Sequence, residues 1–138
     1  MILRIFDTTF IIDLINSDPE AASIARKVDE EGSFAGISVI SAHEYLFGIY
    51  YRYFGNEKEL RKRLSSAKRD LSRFGILPLT YDIVEISSKI HAHLERSGEV
   101  IGINDIYIAS TALFYKLRVV TRNIEDFKRI SGLEIETY

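Results

Sequence analysis

The chain has 138 residues, 46% of them hydrophobic and 28% charged, with a net charge of −2, which is the composition of one globular domain over residues 1–138. No apolar run approaches the ~20 residues that cross a bilayer and Asp7 interrupts any leader-like core, so no membrane contact and a cytoplasmic location are expected. The absence of cysteine excludes disulfides, thiolate zinc sites and cysteine nucleophiles.

Residues 2–6 read as a buried strand, followed by a short helix through Asn16 capped by Thr8 or Thr9. Asp18-Pro19 starts a second helix, with Asp18 as N-cap, that ends at Gly32. A strand over 34–39 leads to a helix over 41–54, with Ser38 or Ser41 near its cap. Gly55-Asn56 breaks the chain before a helix that runs to Phe74 and is stopped by Gly75. Ile76-Leu77 forms a short strand or connector. Asp82 begins a helix to Arg96, which Ser97-Gly98 ends. Asn104 or Asp105 opens the next helix, to Lys116. A strand over 118–121, a short helix over 124–130 and a last strand over 133–136 complete the series. Strands alternating with helices imply right-handed crossovers and a parallel sheet with helices on both faces. Ligands of such sheets bind beyond the carboxyl ends of the strands, where Asp7 and the segment after Thr121 fall.

Charge is unevenly spread. Residues 57–73 carry seven Lys or Arg against three acids, so the remainder of the chain is net acidic. A basic helix beside an acidic cleft suits a phosphate backbone; a solvated helix face with (i, i+4) pairs suits the same residues.

Four acids stand where a carboxylate is costly unless something binds it: Asp7, Glu44, Asp105 and Asp126. Asp7 follows the first strand and could serve a site or cap a helix. Glu44 has Ile40, Phe47 and Gly48 as helical neighbours, and an Arg-paired interfacial role is the alternative. Asp105 heads a stripe through Ile108, Ala109 and Ala112; an Asp complementing the helix dipole is the competing role. Asp126 and Asn123 follow Thr121-Arg122, and either could supply an oxygen ligand or cap the short helix. Asp13 is a candidate partner for a Lys or Arg, and a plain surface position suits it equally. His43, His91 and His93 lack metal-site spacing, and phosphate-loop, dinucleotide and nucleophile-elbow motifs are absent. If the fold gathers the four acids, their repulsion calls for a cation, and an all-oxygen donor set favours Mg2+ or Mn2+ over zinc. That combination is the signature of a metal-dependent phosphodiesterase.

The segments Phe6-Asp7-Thr8-Thr9-Phe10, Ser41-Ala42-His43-Glu44, Asn104-Asp105-Ile106-Tyr107-Ile108-Ala109 and Thr121-Arg122-Asn123-Ile124-Glu125-Asp126-Phe127 occur in that order along nearly the whole chain. Together they resemble the PIN-domain family and, within it, the VapC-type toxins of toxin–antitoxin pairs. The resemblance implies a three-layer α/β/α sandwich with a central parallel sheet. It implies an Mg2+- or Mn2+-dependent endoribonuclease cutting single-stranded regions of RNA, often transfer or ribosomal RNA. It also implies a homodimer held inactive by a small VapB-like antitoxin. In the family's pattern Asp7, Glu44 and Asp105 bind metal, Thr8 supports the site, and the fourth acidic position falls on Asp126 or is replaced by Asn123. Other jobs for the same fold are RNA maturation or quality control without an antitoxin, and RNA binding without turnover. The aromatic segment with Tyr45, Phe47, Tyr50, Tyr51, Tyr53 and Phe54 is either core packing or an interface.

Overall fold

A computed structural model describes residues 2–138; Met1 lies outside it. The elements are β1 (Arg4–Phe6), α1 (Thr8–Ile15), α2 (Pro19–Glu31), β2 (Ala35–Ser38), α3 (Val39–Arg52), α4 (Glu57–Leu71), β3 (Gly75–Leu77), α5 (Tyr81–Arg96), α6 (Ile103–Tyr115), β4 (Arg118–Val120), α7 (Ile124–Phe127) and β5 (Ile135–Glu136). The five strands form one sheet in the order β3-β2-β1-β4-β5. Every neighbouring pair is parallel, with Phe6 facing Ile37 on one side and Val120 on the other. Among the described residues no helix is long and apolar enough to cross a membrane.

Strand alternation divides the interior in two. Ile5 and Val119 point to a cluster with Leu94 of α5, Ile106, Ile108 and Ala109 of α6, and Phe127 of α7. Phe6 and Val120 point the other way, to Phe10 and Ile11 of α1, Ala21 and Val28 of α2, and Leu71 of α4. The expected α/β/α sandwich with a central parallel sheet is therefore present. The Phe6 and Phe10 rings stack at 4.3 Å and fix α1 against the sheet. Arg4 shares the Phe6 face and is fully buried. It is held by Glu136 at 2.9 Å and Glu31 at 3.4 Å, but its Nη2 has no partner.

Several boundaries differ from the sequence reading for local reasons. The cap of α1 is Asp7, whose Oδ1 accepts from the Phe10 N–H at 2.9 Å, and not Thr8 or Thr9. Ser38 caps α3, so Val39 is helical. Helix α4 ends at Leu71, short of the expected Phe74, and Gly75 is the first residue of β3 rather than a helix stop. What Gly75 and Gly36 provide is room: a Cβ would stand 2.8 Å and 2.6 Å from the Phe34 ring. Thr80 caps α5, so that helix begins one residue before Asp82. Helix α6 begins at Ile103 behind Gly102, and neither Asn104 nor Asp105 caps it. Helix α7 covers only Ile124–Phe127, and β5 only Ile135–Glu136.

Candidate metal and phosphodiester site

The carboxyl ends of β1, β2 and β4, together with the first turn of α6, bring the four acids to one edge. Asp7 leaves β1 directly and is only 4% exposed. Its backbone N–H donates to the Val120 carbonyl at 3.3 Å, continuing the β1–β4 register. The same register sets Thr121 beside it. Thr121 Oγ1 donates to Asp7 Oδ2 at 2.5 Å and accepts from the Asn123 N–H at 2.8 Å. Asp7 thus caps α1 with one oxygen and is held by Thr121 through the other.

Glu44 lies in the second turn of α3, half-buried, opposite the start of α1. Thr8 Oγ1 donates to its Oε1 at 2.6 Å, and Ser41 Oγ lies 3.0 Å from the same Thr8 oxygen. This engagement explains why Thr8 does not cap its own helix. Asp105 sits in the first turn of α6, at the head of the stripe Ile108, Ala109 and Ala112, all fully buried. The Asn123 amide donates to Asp126 Oδ2 at 2.9 Å and to Asp105 Oδ2 at 3.4 Å. Asn123 occupies the cap position of α7 without capping it through its side chain.

Each of the four carboxylates therefore rests on a neutral donor, Asp7 on Thr121, Glu44 on Thr8, Asp105 and Asp126 on Asn123, and among the described residues Asp126 alone of the four also has a guanidinium nearby, Arg129 at 3.9 Å. Asp105 nevertheless lies close enough to the other three to feel their charge. Burial, then the charges of Asp7, Glu44 and Asp126, push the Asp105 carboxyl up from its ordinary 3.8 to about 6. Burial also raises Asp7, against the Thr121 and Phe10 hydrogen bonds and with help from the charges of Asp13 and Glu44. As placed, no group of three or more His, Cys, Asp or Glu among the described residues closes into a metal site. The donor chemistry itself fits a hard divalent cation: carboxylate oxygens, with the hydroxyls of Thr8 and Thr121 behind them. His43, exposed, lies edge-on to Phe47 instead of joining the acids.

Two supporting residues escape sequence reasoning. Thr121 is 114 positions from Asp7, and only the strand register brings them together. Arg122 ties the loop after β4 to the first two helices, reaching Asp18 at 2.9 Å, Glu20 at 3.1 Å and Asp13 at 3.5 Å while lying over the Tyr138 ring. Of the two roles open to Asp13, pairing with an Arg is the one found, and Asp13 also accepts from the Tyr138 hydroxyl at 2.6 Å. The aromatic segment does not serve as plain core: Phe47, Tyr50, Tyr51 and Phe54 are exposed, the last 90% so.

The PIN domain family model matches residues 4–133. The chain is 34% identical to the Ribonuclease VapC1 of Rickettsia felis over 96% of this chain and 94% of that protein. It is 30% identical to the tRNA(fMet)-specific endonuclease VapC of Salmonella typhimurium over 100% and 99% of the two chains. Among solved structures it is similar to VapBC2 from Rickettsia felis bound to a promoter DNA fragment, with a TM-score of 0.82, 26% identity and 99% of both chains covered. The fold, the order of its motifs and these likenesses agree that the chain belongs to the PIN-domain family and, within it, to the VapC proteins.

Proposed function

We propose that the chain is a metal-dependent endoribonuclease, the toxin of a toxin–antitoxin pair, that cuts single-stranded regions of RNA. The observation that carries the catalytic part is the gathering of Asp7, Glu44, Asp105 and Asp126 at the carboxyl edge of the sheet, where Asn123 bridges Asp105 and Asp126 and where burial, then the charges of the other three, raise the Asp105 carboxyl. PIN-domain ribonucleases are generally divalent-metal dependent, and the all-oxygen donor set here favours Mg2+ or Mn2+. Asp7, Glu44 and Asp105 would hold the ion, with Asp126 as the fourth carboxylate and Asn123 setting the spacing between Asp105 and Asp126. Thr8 orients Glu44, and Thr121 orients Asp7. The chemistry a bound cation supplies is electrostatic: it offsets charge on the phosphate under attack and makes water a better nucleophile.

Relatives named as ribonucleases, one of them tRNA(fMet)-specific, support RNA as substrate and place transfer RNA first among the classes to test. Similarity to VapBC complexes supports a small VapB-like antitoxin as partner. The exposed aromatic face of α3 supports a protein interface, antitoxin or second copy. Such an activity belongs in the cytoplasm. The test is cleavage of a transfer RNA pool and of single-stranded oligonucleotides with Mg2+, with Mn2+ and with EDTA. Cleavage restored by either metal after EDTA, and lost in Asp7→Asn and Asp105→Asn, supports the assignment; cleavage that survives both substitutions refutes it.

A further inference from the structure

From Glu44 a groove of about 340 Å3 runs away between α1, α3 and α4. Its walls are largely apolar, with Ile12, Ile15 and Ile49, and its far end carries Arg52 and Arg63. Glu44, Gly48 and Arg52 are successive turns of one face of α3, so Arg52 stands about 12 Å along the axis from Glu44. The space beside Gly48, between them, is open: a Cβ there would meet nothing within 4 Å.

Arg63 reaches the same end from α4. The two guanidiniums share the ring of Tyr53, at 5.6 Å for Arg52 and 5.2 Å for Arg63. That stacking holds two long side chains together against their rotamer entropy and their like charge. Arg63 is steadied by Glu59 at 2.9 Å, while Arg52 makes no hydrogen bond or ion pair among the described residues. The carboxylate of Asp70, on the same groove, is 3.5 Å from the Tyr45 hydroxyl. Of the seven cations between residues 57 and 73, Arg63 alone lines this groove.

We propose that Arg52 and Arg63 form a subsite for one phosphate of the substrate strand, with the bases between it and the cleaved bond lying on the apolar walls. The inference rests on the ribonuclease reading above and adds a register to it. An axial offset of about 12 Å between the two helix positions corresponds to two to four nucleotides, from an extended strand to a stacked one at ~3.4 Å per residue. Planar guanidiniums suit phosphate oxygens, and apolar walls tolerate any base.

The experiment uses an oligonucleotide whose cut site has been mapped with the wild-type protein. Arg52→Ala/Arg63→Ala is expected to raise KM about 10- to 100-fold with kcat within about threefold, and to flatten the salt dependence of KM by about 0.7 in log–log slope. Arg52→Lys/Arg63→Lys restores the slope. Neutral methylphosphonates are then placed at each flanking position in turn. One position, two to four nucleotides from the cut, is expected to raise KM in the wild type and not in the double alanine variant. Unchanged KM and slope, or no position whose effect depends on the arginines, overturns the subsite while the ribonuclease reading stands. Loss of antitoxin affinity with unchanged RNA kinetics likewise overturns it and assigns the pair to an acidic protein partner. A wild type that neither cuts nor binds RNA overturns both readings.

Discussion

Asp105→Asn is expected to stabilise the metal-free protein at neutral pH while abolishing its activity. The Asp105 carboxyl is raised from 3.8 to about 6 by burial and by Asp7, Glu44 and Asp126. At ~1.4 kcal/mol per pH unit, ionising it in the folded state costs about 3 kcal/mol; partial exposure screens this to about 1–1.5 kcal/mol. A carboxyl raised on folding contributes its stability below the unfolded value, near 4, and loses it as pH climbs through about 6. Asparagine keeps an oxygen to accept from Asn123 and has no charge to lose. In EDTA at pH 8 the variant should therefore melt about 3–6 °C above the wild type, and the difference should vanish near pH 4. Saturating Mg2+ or Mn2+ should reverse the order, because only the wild type gains binding free energy. Thermal unfolding across pH, with and without metal, is the assay. A variant less stable than the wild type at pH 8 in EDTA, or a difference independent of pH, would show that the Asp105 charge does not cost the fold stability.

Thr121→Val should cost about 1–3 kcal/mol in urea unfolding, since it leaves the buried Asp7 Oδ2 without its donor, and Thr121→Ser should restore most of it. Glu136→Ala should cost about 1–3 kcal/mol by leaving the buried Arg4 with the longer Glu31 contact alone, whereas Arg4→Met should stay within about 1 kcal/mol of the wild type, both read by denaturant midpoint. Gly36→Ala should cost about 1–3 kcal/mol by forcing a methyl group against the Phe34 ring, and Phe34→Ala in the same chain should recover the loss.

Much of the architecture is legible from punctuation and alternation. Asp18-Pro19 opens α2, and Gly32, at φ 63°, closes it as a glycine stop should. Asp7 after an apolar strand points to the sheet edge where the site forms. Other features depend on what folding brings together. Thr8, Thr9 and Asp7 are equally able caps in the sequence; Asp7 takes the role because Glu44, 36 positions away, engages the Thr8 hydroxyl. Gly75 reads as a helix stop until the Phe34 ring across the sheet claims the space above it. The cations of α4 form a single cluster in the sequence, yet the helix distributes them around its axis and turns Arg63 toward the groove. Thr121 carries no local signal, because its meaning lies in the register of β4 against β1.

In the proposed site Asp7, Glu44, Asp105 and Asp126 enclose a divalent cation at the carboxyl edge of the sheet. An anomalous-difference map from crystals of the wild-type protein equilibrated with Mn2+ tests it directly. A peak within ligand distance of Asp7 and Asp105, with Glu44 or Asp126 turned toward it and away from its present donor, is the expected result. A map at saturating Mn2+ with no peak between these carboxylates, or with its strongest peak elsewhere, would contradict it.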